Sequence, residues 1–353
     1  MGGQLEHAAL ARAALRPLQA PHTGQPHTRG AGAPAALGFG TAPLGNLFER
    51  VEDQAADAAI ATALDAGIRF FDTAPFYGYG LAERRLGAAL ARVPAASVAI
   101  STKVGRRIVD APGFRPSEGY LVDGHRARFD YSRAAVLESF EESLLRLRRD
   151  RVDVLLLHDV GRATHGERHS AMLRQALEEA LPAMQRLKEM HACRAIGIGV
   201  NEAAVCLEIM QAFDLDLILL AGRYTLLEQS SLEDVMAEAL RRGVGILVGG
   251  AFNSGLLADA RTPGRTYNYE AVEPPILARA QRIYAICADH GVDVGAAALQ
   301  FVRAHPAVIG VVVGMRSSEE VRCTLERLEV AIPGELWNAL RAAGLLSAEA
   351  PTP

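Results

Sequence analysis

The sequence RFFDTAPFYGYG, Arg69 to Gly80, joins an apolar run to a turn. The run Ile68 to Phe71 predicts a buried strand, and one proline and two glycines then interrupt it. Asp72 and Tyr77, two polar residues that can take part in chemistry, stand where this strand ends. Strand ends are where barrels of alternating strands and helices carry their catalytic side chains. Asp72 and Tyr77 are therefore predicted at the mouth of an active site.

The same arrangement recurs further along the chain. Apolar runs end at Lys103, at His158 and just before Asn201, and a last all-apolar run spans Val308 to Val313. A helical pattern follows each run, and about eight such repeats are typical of a (β/α)₈ barrel. The runs are uniformly apolar, as expected for strands that are covered on both faces. The predicted fold class is α/β, a TIM barrel whose long loops after the strands form the active-site mouth.

A doubly wound sheet is the competing fold. It would carry a G-x-G-x-x-G turn between its first strand and first helix. Gly38, Gly40 and Gly45 lack that spacing, so a dinucleotide-binding domain of this type is rejected. Two segments show no period, Val104 to Tyr131 and Gly249 to Pro275, and they are predicted as irregular loops that serve the site.

Composition narrows the functional class. The chain has 353 residues and a net charge of −4, which gives no indication of a nucleic-acid partner. We find no apolar run of the ~20 residues that a membrane span needs and no signal sequence. The four cysteines are scattered, which favours reduced thiols and a cytoplasmic location. Residues 1–36 are predicted to be a disordered tail, residues 37–345 a single barrel domain and residues 346–353 a C-terminal tail.

The four reactive residues suggest one chemistry. A free tyrosine has a pKa near 10, too high for easy proton exchange at neutral pH, and an ammonium group within reach lowers it. Lys103 can act in this way on Tyr77, and Asp72 can supply the anion that keeps a packed lysine charged. His158 can orient a substrate oxygen. A hydride must then pass to or from a nicotinamide, because no side chain stores one.

Four motifs make the chain resemble the aldo/keto reductase superfamily: DTAPFYG from Asp72, STKV from Ser101, VDVLLLHD from Val152 and RAIGIGVN from Arg194. The resemblance runs from about Leu37 to the C-terminus. It implies a barrel that binds NAD or NADP. It implies catalytic roles for Tyr77 as acid and base, Lys103 as its modulator, Asp72 as the partner of the lysine, and His158.

Further motifs resemble one branch of that superfamily, the D-threo-aldose 1-dehydrogenases or L-fucose dehydrogenases. They are GFGTAPLGNLF from Gly38, HDVGRATHG from His158 and GGAFNSGLL from Gly249. The branch oxidises the C1 hydroxyl of an aldose, of the L-fucose, D-arabinose or L-galactose type, to a lactone. It also includes pyridoxal 4-dehydrogenase, so that activity and general aldehyde or ketone reduction remain alternatives. Tyr77, His158 and Phe48 are the expected substrate contacts.

The cofactor preference can be predicted from the segment VGMRSSEEVR, Val313 to Arg322. NADP-preferring relatives hold the 2′-phosphate with basic residues here, and the resemblance puts Gly314 and Glu320 in their place. A carboxylate repels a phosphate, so NAD is preferred over NADP, although Arg316 or Arg322 could still reach a phosphate. Many relatives stack an aromatic ring on the nicotinamide where this chain has Gly249 and Gly250; Phe252 or the backbone would serve instead. The expected cofactor-binding set is Gly40, Thr41, Asp72, Asn201, Gly249, Phe252, Ser254, Gly314, Arg316, Ser317 and Glu320.

Two other interpretations of the site stay open. Lys103 could form a Schiff base, as in barrel aldolases. The chain could also be a non-catalytic barrel that binds cofactor without turnover. His165 and His169 lie near His158, but no helix fixes their spacing and no cysteine joins them. No metal site is therefore predicted.

Overall fold

A computed structural model describes residues 36–353 except residues 117, 118, 262, 263, 265 and 269. Residues 1–35, most of the predicted N-terminal tail, lie outside the described residues, and Ala36 already belongs to the first strand. The strands are β1 Ala36–Gly40, β2 Phe70–Asp72, β3 Ala99–Val104, β4 Arg106–Asp110, β5 His125–Phe129, β6 Val154–His158, β7 Ala195–Val200, β8 Leu217–Ala221, β9 Gly245–Gly249, β10 Thr266–Tyr267, β11 Glu270–Ala271 and β12 Val308–Gly314.

Helices separate the strands along the chain, and two π-helical turns, Ala176–Ala180 and Leu232–Met236, lead into helices α6 and α8. The helices are α1 Asp53–Asp65, α2 Leu81–Ala89, α3 Arg133–Leu147, α4 Arg162–His165, α5 His169–Gln175, α6 Leu181–Glu189, α7 Ala204–Ala212, α8 Ala237–Arg242, α9 Pro274–Asp289, α10 Val294–Arg303, α11 Ser318–Glu329 and α12 Gly334–Ala342.

Eight of the described strands form a closed parallel barrel. Going round it, the order is β1, β2, β3, β6, β7, β8, β9 and β12, and β12 pairs back with β1. The register aligns Gly40 with Asp72, Asp72 with Ser101 and His158 with Gly199. This arrangement confirms the predicted (β/α)₈ barrel and brings the carboxyl ends of all eight strands to one mouth.

The core has two layers. Inside the barrel, a small cluster of inward-facing side chains fills the space: Phe70, Ala99, Val154, Leu156, Ala195, Leu217, Leu219, Leu247 and Val312. A larger cluster lies between the strands and the helices. A side chain at Gly38 would put its Cβ only 2.6 Å from the Phe70 ring. Gly38 therefore makes room for packing inside the barrel. In a dinucleotide-binding fingerprint, by contrast, such a glycine would let the backbone approach a phosphate.

The prediction of an irregular loop over Val104 to Tyr131 is wrong for much of the segment. Strands β4 and β5 pair there as an antiparallel hairpin, which lies beside the mouth. Its Arg- and His-containing strands lack an apolar alternation, so the sequence did not distinguish them from a loop. In the second segment, β10 and β11 form a two-residue hairpin. The predicted cap of α3 is confirmed, because the Ser132 hydroxyl accepts the N–H of Ala135 at 3.3 Å.

The C-terminal segment packs on the outside of the barrel. Trp337 of α12 is 2% exposed, and its ring centroid lies 6.4 Å from that of Phe301. Leu346 and Ala350 are buried, and Arg341 donates to the carbonyl of Ala350 at 3.0 Å. Residues 346–353, predicted as a tail, therefore lie against the domain.

Candidate active site

A buried ion pair lies at the carboxyl ends of β2 and β3. The Lys103 ammonium donates to both carboxylate oxygens of Asp72, at 2.9 and 2.8 Å, and to the carbonyl of Thr73 at 2.9 Å. The Ser101 hydroxyl donates to the same carboxylate at 2.7 Å. Asp72 and Lys103 are 2% and 1% exposed. Three oxygen atoms around the ammonium stabilise its charged form in a place that water scarcely reaches.

Tyr77 and His158 join this pair at the mouth. The Lys103 ammonium lies 4.6 Å from the centroid of the Tyr77 ring. The rings of Tyr77 and His158 meet edge to face with centroids 6.1 Å apart. The structure therefore brings together all four residues that the sequence predicted as catalytic.

Gly199 gives the lysine room to reach this position. It pairs in register with His158, and a Cβ at this position would lie 3.3 Å from the Cε of Lys103. Such a contact is tighter than side chains normally tolerate, so a larger residue would press on the lysine. The second glycine of the sequence RAIGIGVN is thus explained by the space that Lys103 needs.

His158 has charged neighbours that the sequence analysis missed. Burial lowers the pKa of His158 to about 3, and the Asp159 carboxylate opposes this shift. Nε2 of His158 lies 3.4 Å from Oδ2 of Asp159. Arg106 pairs with the same carboxylate oxygen at 2.6 Å. Asp159 directly follows His158 in the sequence and could have been noticed there. Nothing local in the sequence indicated Arg106, because it belongs to the hairpin of β4 and β5, which was not predicted.

Aromatic residues form one wall of the mouth. Phe76, Tyr79 and Tyr120 make a small cluster, and the rings of Tyr77 and Tyr120 have centroids 6.4 Å apart. Phe48, a predicted substrate contact, is 54% exposed at the rim. Its N–H donates to the carbonyl of Gly119 at 2.7 Å, which ties the loop after β1 to the long segment after β3. This wall offers an apolar surface next to polar groups, as small-molecule sites usually do.

Apart from Asp72, the predicted cofactor residues follow strands on the other side of the mouth. Asn201 follows β7, Gly249 ends β9, Gly314 ends β12 and Gly40 ends β1. Strands β7, β8, β9, β12 and β1 are consecutive neighbours in the barrel, whereas β2, β3 and β6 carry the reactive residues. The mouth is thus divided into two continuous arcs, one for each predicted task.

The second arc has features that suit a nicotinamide dinucleotide. Gly222 and Gly250 both have positive φ angles and lie against each other, so neither position adds a side chain at the ends of β8 and β9. Asn253 is 4% exposed, and its Oδ1 has no hydrogen-bond partner among the described residues. Ser317 caps α11, and the free N–H groups of a helix N-terminus suit an anionic group. The two glycines without side chains, the Asn253 oxygen without a described partner and the N-terminus of α11 fit the chemistry of this cofactor.

The predicted cofactor residues differ in how accessible they are. Thr41 is fully buried, and its hydroxyl donates to the carbonyl of Asp72 at 3.0 Å. Phe252 is partly buried and packs against the core, with the Arg327 guanidinium 5.5 Å from its ring centroid. Ser254 is exposed. Thr41 therefore supports the backbone of Asp72 in this structure, while Ser254 remains accessible to a ligand.

The histidines considered for metal binding lie in helices, His165 at the end of α4 and His169 at the start of α5, where the sequence predicted a loop. Both have other partners. Nε2 of His165 lies 2.9 Å from the hydroxyl of Tyr131, and Nε2 of His169 lies 3.1 Å from Glu208. No group of three or more side chains suited to a metal ion occurs in the part of the chain that the structure describes. In that same part, no helix has the length and apolar character needed to cross a bilayer.

Comparison with known proteins identifies the family. Residues 36–344 match the model of the aldo/keto reductase family. The chain belongs to this family. Its relatives include the pyridoxal 4-dehydrogenase of Microbacterium luteolum, 39% identical over 88% of this chain and 94% of that protein. The D-threo-aldose 1-dehydrogenase of a Pseudomonas species is also 39% identical, over 90% and 95%. The L-galactose dehydrogenase of Arabidopsis thaliana is 30% identical, over 81% and 82%.

Solved aldo/keto reductases share the fold. The glycerol dehydrogenase of Gluconobacter oxydans superposes with a TM-score of 0.68 at 22% identity, covering 93% of this chain and 96% of that one. An aldo-keto reductase of Bacillus halodurans gives the same TM-score at 24% identity, covering 89% and 93%. The chain is thus an oxidoreductase of a family that uses nicotinamide cofactors.

Proposed function

We propose that this aldo/keto reductase oxidises the C1 hydroxyl of an aldose, of the L-fucose, D-arabinose or L-galactose type, to a lactone. The observation that carries this proposal is the buried Lys103–Asp72 pair beneath Tyr77, with His158 facing the same ring. The relatives named for aldose substrates supply the substrate class. The proposed catalytic unit is the single domain of residues 37–345, acting in the cytoplasm, where its buried thiols would stay reduced.

Each of the four residues has a role in this reaction. Tyr77 accepts the proton of the C1 hydroxyl, and the positive charge of Lys103 favours the phenolate that does so. Asp72 holds the ammonium in place through both of its carboxylate oxygens. His158, kept neutral by burial, forms a hydrogen bond with the same substrate oxygen and orients it. The bound nicotinamide supplies the acceptor for the hydride that leaves C1.

We propose NAD as the preferred cofactor. Arg316, one of the two arginines that could have held a 2′-phosphate, is engaged by two carboxylates. Its Nε lies 2.7 Å from Glu320, and its Nη1 lies 2.6 Å from Glu49. Two negative charges around one positive charge leave a net repulsion for a phosphate dianion, whereas a ribose hydroxyl could donate to either carboxylate.

A second candidate is pyridoxal oxidation. It is favoured by the pyridoxal 4-dehydrogenase, which is as similar to this chain as the aldose dehydrogenase is. The aromatic cluster of Phe76, Tyr79 and Tyr120 beside Tyr77 would suit a flat pyridine ring. A Schiff base on Lys103 has less support, since Nζ already donates to three oxygen atoms, two of Asp72 and one of Thr73.

Absorbance at 340 nm tests the proposal. Purified protein at mildly alkaline pH is offered NAD or NADP with L-fucose, D-arabinose, L-galactose, D-glucose or pyridoxal. We expect reduction of NAD with the first three sugars and its loss in Tyr77→Phe. Turnover of pyridoxal alone would replace the substrate but keep the roles of the four residues. Cofactor binding without turnover of any compound would contradict the proposal and support a non-catalytic barrel.

A further inference from the structure

Arg106 connects three loops of the mouth. It is the first residue of β4, three positions after Lys103. Its guanidinium carbon lies 3.3 Å from the centroid of the Phe76 ring and 4.8 Å from that of Phe129. Its Nη1 pairs with Asp159 at 2.6 Å, and both side chains are about 15% exposed or less. An arginine packed between rings and paired with a carboxylate in this way has little freedom to move.

Asp159 reaches this position through an unusual backbone conformation. Its φ angle is +51°, in the left-handed region that non-glycine residues seldom adopt. Neighbouring residues on a strand normally face opposite sides of the sheet. The turn at Asp159 instead brings its carboxylate beside the ring of His158, with Oδ2 3.4 Å from Nε2.

A hydroxyl group behind the turn supports the same conformation. The Tyr131 oxygen lies 2.9 Å from the carbonyl oxygens of both His158 and Asp159. It also lies 2.9 Å from Nε2 of His165. Tyr131 is fully buried, so these contacts hold the backbone of the turn without access to water. A conformation of this cost persists only where the surroundings fix it, and such sites cluster where function requires them.

We propose that Arg106 and Asp159 form a positioning pair for His158, which fixes the imidazole relative to Tyr77 and to the substrate oxygen between them. Because Arg106 packs on Phe76, the pair also fixes the position of the loop that carries Tyr77. Tyr77 and His158, the two groups that meet the substrate oxygen, are thus held by the same pair. This inference rests on the proposed role of His158. It adds two residues that touch neither substrate nor cofactor.

The charges around His158 make the pair testable. The described charged groups that face its ring are Asp159, Arg106 of β4 and Lys103 of β3; the Tyr77 ring faces it from the loop after β2. Burial is the main cause that lowers the pKa of His158, Asp159 raises it, and Arg106 and Lys103 lower it. Removing the charge of Arg106 should therefore raise the pKa of His158, and removing that of Asp159 should lower it further.

The experiment compares Arg106→Met, Arg106→Lys and Asp159→Asn with the wild type. Arg107→Met is the matched control, because the adjacent Arg107 pairs with Glu138 of α3, away from His158. We expect kcat to fall about 10- to 100-fold in Arg106→Met and Asp159→Asn, the usual consequence of a misplaced catalytic group. Arg106→Lys should recover only part of the loss, because lysine keeps the charge facing Asp159 but not the guanidinium stacking on Phe76. Arg107→Met should behave as wild type. Cofactor affinity, measured by fluorescence titration, should stay unchanged in all four variants.

The pH profile separates positioning from a merely structural role. Activity at pH 5 relative to pH 8 should fall in Arg106→Met and should not fall in Asp159→Asn. NMR titration of the His158 imidazole should show opposite pKa shifts in these two variants, and this measurement needs no turnover. A wild type without activity on any substrate would overturn the proposed function, while the NMR titration would still decide on the pair. Equal pH profiles and imidazole shifts in all variants would overturn the pair.

Discussion

Two buried lysine–aspartate pairs lie at opposite ends of the barrel. At the mouth, Lys103 and Asp72 are 2.8 Å apart, with side chains 1% and 3% exposed. At the floor, Lys188 and Asp216 are 2.6 Å apart, with side chains 19% and 1% exposed. Asp216 also accepts the N–H of Ile196 at 2.9 Å and so holds the start of β7. The mouth pair instead lies under the ring of Tyr77.

The two ends also share a second kind of group, a buried histidine with a lowered pKa. Burial lowers the pKa of His158, at the mouth, to about 3 and that of His305, at the floor, to about 4. His305 accepts the N–H of Ala307 at 3.1 Å and packs against the Tyr224 ring. Neither a buried ion pair nor a shifted pKa therefore identifies an active site. The convergence of reactive groups at the carboxyl ends of the strands is what makes the mouth the candidate active site.

Replacing the lysine of each pair should give the largest contrast. We expect Lys103→Met to lower kcat by about 10²- to 10⁴-fold, the range of a lost acid–base contribution, because the phenolate of Tyr77 loses its neighbouring charge. Lys188→Met should keep kcat within about 2-fold of wild type, since the floor does not contact the substrate. Steady-state kinetics of both variants provide the test. Comparable losses of kcat in the two would show that the floor pair also supports the site.

The same two variants should differ in stability. Lys188→Met removes the ammonium that pairs with the buried Asp216 carboxylate, which still accepts the N–H of Ile196. We expect its free energy of unfolding to fall by about 1–3 kcal/mol. Urea denaturation followed by circular dichroism measures this change. The double variant Asp216→Asn/Lys188→Met should recover part of the loss, because the buried negative charge that the lysine neutralised is then gone. A double variant less stable than Lys188→Met would contradict this explanation.

The floor histidine should affect stability through pH alone. Because the pKa of His305 is about 4 when folded and near 6.5 when unfolded, the unfolded chain binds its proton first as the pH falls. Its contribution to stability is complete above pH 6.5 and is lost as the pH drops toward 4. His305→Gln should therefore make the decline of the unfolding free energy between pH 6.5 and 4 shallower. His158 adds a decline of the same sign, so part of the slope should remain.

Denaturation at several pH values measures this slope, and activity at pH 8 provides the internal control. His305→Gln should be as active as wild type there. An unchanged slope would mean that His305 is protonated as readily in the folded protein as in the unfolded chain.

The sequence was sufficient to predict the barrel and to predict that Asp72, Tyr77, Lys103 and His158 lie together at its mouth. Uniformly apolar runs indicate the barrel strands, and the polar residues at their ends indicate the site; both patterns can be read from short stretches of the chain. Arg106 shows what local patterns leave out. Its function depends on Asp159, 53 positions away, and on a hairpin whose strands are polar and have no apolar period. The sequence also contained no indication of the contact between Glu49 and Arg316, because the two residues are 267 positions apart.

Glu49 at the rim gives the smallest and most specific prediction. Unlike the two buried pairs, its pair with Arg316 is exposed, with side chains 65% and 43% accessible, and such pairs contribute only about 0–1 kcal/mol to stability. Glu49→Gln should therefore leave folding and NAD-linked activity unchanged. It should raise kcat/KM for NADP relative to NAD about 2- to 5-fold, because a freed guanidinium attracts the extra phosphate. The gain should shrink in high salt, which screens exposed charges.

The control for this prediction is Glu52→Gln, since Glu52 is an exposed glutamate three positions away at the start of α1. An equal change of the ratio in both variants would mean that net charge at the rim, and no particular contact of Arg316, sets the preference.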